Sequence, residues 1–138
     1  DLKIRIVENK TYEVMRKSRL ILAAPGIATL EAAVLSVPLI VILKLSLSNW
    51  LLLHLFNHVN RVSLVNLILK KEVVPEFIQW QAKPRQIAET ALRILENQTE
   101  AQRITGELGS LRKNLSRGDA SYNIARVIFK SLGTKCHV

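Results

Sequence analysis

Leu22-Ala23-Ala24-Pro25-Gly26-Ile27-Ala28-Thr29-Leu30-Glu31 is the stretch on which the fold turns. Leu20 to Ala23 is short and apolar, as a buried strand is. Ala24-Pro25-Gly26 is a turn signal. From Ile27 to Leu35 the apolar residues Ala28, Ala32 and Leu35 recur at helical spacing, which predicts a helix. Strand, glycine turn and helix in that order are half of a βαβ unit. In open α/β sheets, ligands bind beyond the carboxyl ends of the strands. There the first turn of a helix offers unpaired N–H groups and the positive end of a dipole. Gly26 allows close approach to the backbone, Thr29 carries a hydroxyl, and Glu31 can accept from two vicinal hydroxyls such as those of a ribose. Plain strand–turn–helix packing accounts for the same residues, because one glycine turn is not the full dinucleotide-binding pattern.

Outward from this stretch the pattern repeats. Lys3-Ile4-Arg5-Ile6-Val7 alternates and predicts a strand, and Thr11 is positioned to cap a helix over Tyr12 to Lys17. Val37 to Leu43 is a continuous apolar run of strand length. Continuous apolar strands alternating with helices predict a parallel sheet covered on both faces. Past Lys44 the character changes. Ser48 or Asn49 can cap a helix over Trp50 to Asn57, Val62 to Leu64 reads as a short strand, and Val74 to Gln79 reads as a short helix with Pro75 in its first turn. A helix opening at Lys83-Pro84 carries Ile87, Ala88, Ala91, Leu92 and Leu95 on one face. Thr99 to Leu115 follows, weakened by Gly106 and Gly109. Gly118-Asp119 precedes a last helix bearing Ile124, Ala125, Ile128, Phe129 and Leu132. One domain is expected, with an α/β part over about 1–80 and a helical tail over about 84–133.

Composition bounds the function. The 138 residues are one domain's worth. Hydrophobic residues at 49% and charged residues at 22% fit a folded chain. Twenty Lys and Arg against 11 Asp and Glu give a net charge of +9, which favours an anionic partner. Aromatics are only 5% and no nucleic-acid-binding motif is present, so a phosphorylated ligand or an anionic membrane surface is favoured over nucleic acid. A solvated basic surface with no partner fits the charge equally. Cys136 is the only cysteine, which excludes a disulfide within the chain and fits a reducing compartment. Ala32 to Leu43 and Leu45 to Phe56 both fall short of the ~20 apolar residues of a membrane span. His54 and His58 are four apart but have no third ligand, so no metal is expected. Asn66, after a strand-like run, is placed either to read a sugar or to cap a turn.

Together these segments resemble the lipid-A-disaccharide synthase family, a group of GT-B glycosyltransferases. Pro25-Gly26-Ile27-Ala28-Thr29-Leu30-Glu31 stands where the family reads roughly S-G-T-A-x-L-E. The run that follows, through Pro38 to Val41, resembles its A-x-L-x-x-P-x-V-V. Leu43-Lys44 falls where the family has Y-R or Y-K. Ser63-Leu64-Val65-Asn66-Leu67-Ile68-Leu69-Lys70-Lys71-Glu72-Val73-Val74-Pro75-Glu76-Phe77-Ile78-Gln79 resembles S-L-P-N-L-L-A-G-R-E-x-V-x-E-L-L-Q. The likeness covers nearly the whole chain. It implies the carboxy-terminal, Rossmann-like half of a GT-B enzyme that transfers an acylated glucosamine from UDP to a 1-phosphorylated acceptor in lipid A biosynthesis.

By the same resemblance Gly26 and Ala28 place amides near the diphosphate, Thr29 and Glu31 reach diphosphate and ribose, and Asn66 and Glu72 line the donor pocket. No cofactor and no metal are implied. The chain alone is expected to be an incomplete enzyme, lacking the amino-terminal domain. A cytoplasmic location peripheral to the inner membrane is implied, with self-association into a homodimer as a further expectation. The sequence departs from the family pattern at several positions. Pro25 and Ile27 replace Ser and Thr, removing two hydroxyls beside the phosphate. Val65, Leu69, Lys70 and Lys71 replace Pro, Ala, Gly and Arg. The alternative is a catalytically inactive α/β module that binds a membrane surface or a protein partner.

Overall fold

A computed structural model describes residues 3–50, 61–115 and 120–131. Three parallel strands form one sheet in the order β1 (Ile21–Ala23), β2 (Leu39–Leu43), β3 (Glu76–Ile78). Ile21 to Ala23 pair with Leu39 to Val41, and Val41 to Leu43 pair with Glu76 to Ile78. The central strand is all apolar because both of its faces are covered: Leu39, Ile40 and Val41 have no exposed surface.

Helices α1 (Thr11–Lys17) and α2 (Ile27–Val34) flank β1 in sequence. Then come α3 (Leu64–Leu69), α4 (Pro84–Glu96), α5 (Gln98–Leu115) and α6 (Ala120–Ser131). α2 packs on α3 and α5 and against both β1 and β2. The helices after Pro84 share the core of the sheet: Ile94, Ile104, Leu108 and Leu111 join Ala32, Ala33, Leu39, Val65 and Val74 in one buried cluster. On α5 the burial follows the expected spacing from Ile104 to Leu111, while Leu115 is 46% exposed.

Several local expectations are corrected. Lys3 to Val7 is not a strand; Ile4 and Ile6 are 78% and 85% exposed, and the segment joins no ladder among the described residues. Alternation is not enough where no neighbouring strand supplies hydrogen-bond partners. Val62 to Leu64 is not a strand either, because Ser63 caps α3 by accepting from the Asn66 amide at 3.0 Å. Val74 to Gln79 is no helix: it holds β3. Pro75 sits at the head of that strand, where its missing N–H matters little and its carbonyl accepts from the Val41 amide at 2.9 Å. Thr11 lies inside α1 and does not cap it; the capping position is Lys10. α2 buries Ala32 as expected, together with Thr29 and Ala33, while Ala28 and Leu35 are only half-buried.

Residues 47–50 begin a helix, capped by Ser46 (the Asn49 amide donates to its Oγ at 3.4 Å) and not by Ser48 or Asn49. The continuation to Asn57, with His54 and His58, lies outside the described residues. So do Gly118, Asp119, Leu132, Cys136 and His137.

Candidate functional site

The chain leaves β1 at Ala23, turns through Ala24 to Gly26 and enters α2. Gly26 adopts φ 153° and ψ −165°, a region open essentially to glycine alone. A Cβ at Gly26 would meet no atom within 4 Å, so the space in front of the turn is open. Gly26 caps α2 without a side chain. The first-turn amides of Ile27 and Ala28 have no acceptor within the helix and point beyond its start. Ile27 itself is exposed, so this end of α2 faces solvent.

Thr29 sits differently from expectation. It is fully buried; its hydroxyl donates to the Gly26 carbonyl at 2.7 Å and its amide to the same oxygen at 3.2 Å. The side chain therefore locks the turn and offers no hydroxyl proton to a ligand. Glu31, two residues further along, is half-buried, and its Oε1 accepts from the Tyr12 hydroxyl at 2.5 Å. A carboxylate beside the phenol favours the protonated phenol, so Tyr12 titrates above its ordinary 10.0; the hydrogen bond is the first cause and the charge of Glu31 the second. Sequence reasoning missed Tyr12, whose significance arises only when α1 and α2 are brought together in space.

Asn66 is fully buried and its amide is completely engaged. Oδ1 accepts from the Val73 and Val74 amides at 2.8 and 3.1 Å, and Nδ2 donates to the Val74 carbonyl at 2.8 Å and to Glu76 Oε1 at 2.7 Å. Of its two expected uses, reading a sugar and organising a turn, the second is the one this geometry realises. Glu76 completes the clamp by accepting from the Val62 and Ser63 amides at 2.7 and 3.1 Å. Gln79, 5% exposed, brackets Leu45 after β2: its Oε1 accepts from the Leu45 amide at 2.7 Å and its Nε2 donates to the Leu45 carbonyl at 3.1 Å. Glu76 and Gln79 match the family motif, but the sequence assigned neither a role, because each acts on backbone that is distant along the chain.

The six expected residues thus form two groups. Gly26, Ala28, Thr29 and Glu31 gather at the carboxyl end of β1. Asn66 and Glu72 border a cleft with Arg61, Glu76, Ile78 and Gln81, which the α2 turn does not line. Among the described residues no group of three His, Cys, Asp or Glu side chains is arranged to hold a metal, and no helix is long and apolar enough to cross a membrane.

A parallel α/β sheet with an open glycine turn between its first strand and the next helix is a partial Rossmann-like domain. The lipid-A-disaccharide synthetase family model matches residues 1–128, and the chain belongs to that family. It is 36% identical over 127 residues to the lipid-A-disaccharide synthase of Coxiella burnetii (strain CbuG_Q212), covering 91% of this chain and 34% of that protein. The Nitrosococcus oceani protein of the same name is 36% identical over 118 residues, 85% of this chain and 30% of its own. The Geobacter sulfurreducens protein is 27% identical over 132 residues, 96% and 34%. The chain therefore spans about a third of the length of these relatives.

Proposed function

We propose that this chain is the UDP-sugar-binding part of a lipid-A-disaccharide synthase-like glycosyltransferase. The reaction is transfer of 2,3-diacylglucosamine from UDP to a 1-phosphorylated acylglucosamine, with release of UDP. The observation that carries the reading is the Gly26 turn: open in front, preceding a helix with free first-turn amides, and standing where the family motif reads S-G-T-A-x-L-E. Such a turn holds a diphosphate and stabilises the charge that develops on it as a leaving group.

In this reading Gly26 and Ala28 bring the amide edge to the diphosphate. Thr29 shapes the turn from beneath, and Glu31 accepts from the ribose hydroxyls. Asn66 fixes Val73 and Val74, and Glu72, exposed beside them, borders the separate cleft with Arg61 and Gln81 to which the family resemblance assigns the donor sugar. An amino-terminal domain carrying the acceptor site completes the enzyme, which works in the cytoplasm at the inner membrane surface, with a homodimer as one mode of assembly.

A second reading, a non-catalytic module that docks on a membrane or a protein, draws on the +9 charge and on α6, where Tyr122, Ile124, Val127 and Ile128 are each more than half exposed. Titrating the labelled chain with UDP while following backbone amides separates the two. Joint, saturable shifts at Gly26, Ala28 and Glu31 are expected. A flat response at millimolar UDP removes the donor-site assignment and leaves the docking module.

A further inference from the structure

We propose that Tyr12 is a positioning residue for the donor nucleotide: its phenol holds the Glu31 carboxylate in the orientation that presents the second carboxylate oxygen to the ribose hydroxyls. The inference rests on the donor-site reading above and deepens it.

Tyr12 is the second residue of α1 and Glu31 the fifth of α2, and the 2.5 Å hydrogen bond between them crosses 19 positions of sequence. At that length, with an ionised acceptor, it is of the stronger, charge-assisted kind. Tyr12 is nevertheless 61% exposed, so its ring is no core residue that happens to lie near a carboxylate. Water competes with such a bond for folding energy, yet the bond still selects one rotamer of a side chain with three rotatable torsions.

That selection matters because of where Glu31 sits. Ala28 and Glu31 are three residues apart and share a side of α2, with the carboxylate about one turn, or 5 Å, behind the helix start. The helix start attracts any anion, and Glu31 is the nearest anionic side chain on α2. A carboxylate that swung forward would compete with a diphosphate for the amides of Ile27 and Ala28. Held by the Tyr12 hydroxyl, the carboxylate is not free to swing onto them. Its Oε2 accepts no hydrogen bond among the described residues, and no Lys or Arg there forms an ion pair with it. One oxygen is fixed and the other free, the arrangement needed to accept from a hydroxyl pair.

The test compares affinities for UDP and for 2′,3′-dideoxy-UDP in the unmodified chain, in Glu31→Gln and in Tyr12→Phe. The Phe variant removes one exposed oxygen and keeps the ring, and dispersion of its amide spectrum verifies the fold. Glu31→Gln is expected to erase most of the preference for UDP. Tyr12→Phe is expected to cut the preference about five- to tenfold, the worth of one hydrogen bond, while binding of the dideoxy nucleotide holds steady. A merely structural Tyr12 would weaken both ligands alike and leave the ratio intact. If Glu31→Gln collapses the ratio and Tyr12→Phe does not, Tyr12 has no positioning role and the donor site stands. If the unmodified chain shows no preference, or binds neither nucleotide, the donor-site reading falls and this proposal with it.

Discussion

Asn66 presents two functional possibilities in sequence and one in space. Its four hydrogen bonds run to Val73, Val74 and Glu76, all within ten positions, and every one is internal. Asn66→Ala strands two buried amides and a carbonyl, so a loss of about 3 kcal/mol or more is expected in chemical denaturation. The same truncation at half-exposed Leu67 is expected to cost well under half as much. Tyr12 yields a prediction in pH. Its pKa is raised in the folded chain, so its contribution to stability is fully present below the ordinary value of 10.0 and fades as pH rises through the higher folded value. Ultraviolet titration is expected to place the Tyr12 phenol above 10, and Glu31→Gln to bring it back down; no change in that variant would mean the contact is absent in solution.

At the scale of elements, Lys70, Gly106 and Gly109 are residues ill matched to the backbone conformation they hold. α3 ends on Lys70 at φ 55° and ψ 19°, a left-handed cap that glycine fills without strain. The family motif has glycine there. Lys70→Gly is expected to raise stability by about 1 kcal/mol, because it removes the Cβ penalty at a left-handed cap. α5 shows the converse. Gly106 and Gly109 lie inside a helix of 18 residues, and a Cβ at either would meet nothing within 4 Å. Gly106→Ala and Gly109→Ala are each expected to add about 1 kcal/mol. Thermal melts of the three variants, singly and together, check both claims; Lys70 is on a different helix from the two glycines, so its increment should add to theirs, while Gly106 and Gly109, three apart on α5, are neighbours and can couple.

For the molecule as a whole, charge and exposed apolar surface point the same way. Lys3, Arg5, Lys10, Arg16, Lys17 and Arg19 are all exposed, interleaved with exposed Ile4, Ile6, Val7, Tyr12 and Val14. A basic surface with apolar residues between the charges suits an anionic bilayer, at about 1 kcal/mol per basic residue near the lipid. Cosedimentation with phosphatidylserine-containing vesicles is expected at low ionic strength and to be lost near 1 M salt, where screening acts within about 3 Å. Binding to purely zwitterionic vesicles that ignores salt would argue against an electrostatic contact.

The parallel sheet, the glycine turn and the helices before β2 and after Pro84 were legible in the residues, because a fully covered strand must be apolar throughout and a helix entering from a strand needs a turn; α3 and β3 were not. Leu39 to Leu43 and Ile104 to Leu111 declare themselves by periodicity alone. Periodicity says nothing about partners. Whether Lys3 to Val7 is a strand depends on a neighbour, and whether Glu76 to Ile78 is strand or helix was settled by its pairing with β2. The roles of individual polar side chains were decided later still. Thr29 closes on Gly26, Asn66 on the loop after α3, and Tyr12 on Glu31, and a hydrogen bond is a matter of a few ångströms between groups that may be far apart along the chain. Composition and spacing determined the class of fold; only the hydrogen bonds from Tyr12 to Glu31 and from Asn66 to Glu76, between groups on separate elements, determined which polar groups near the turn and the cleft are already engaged.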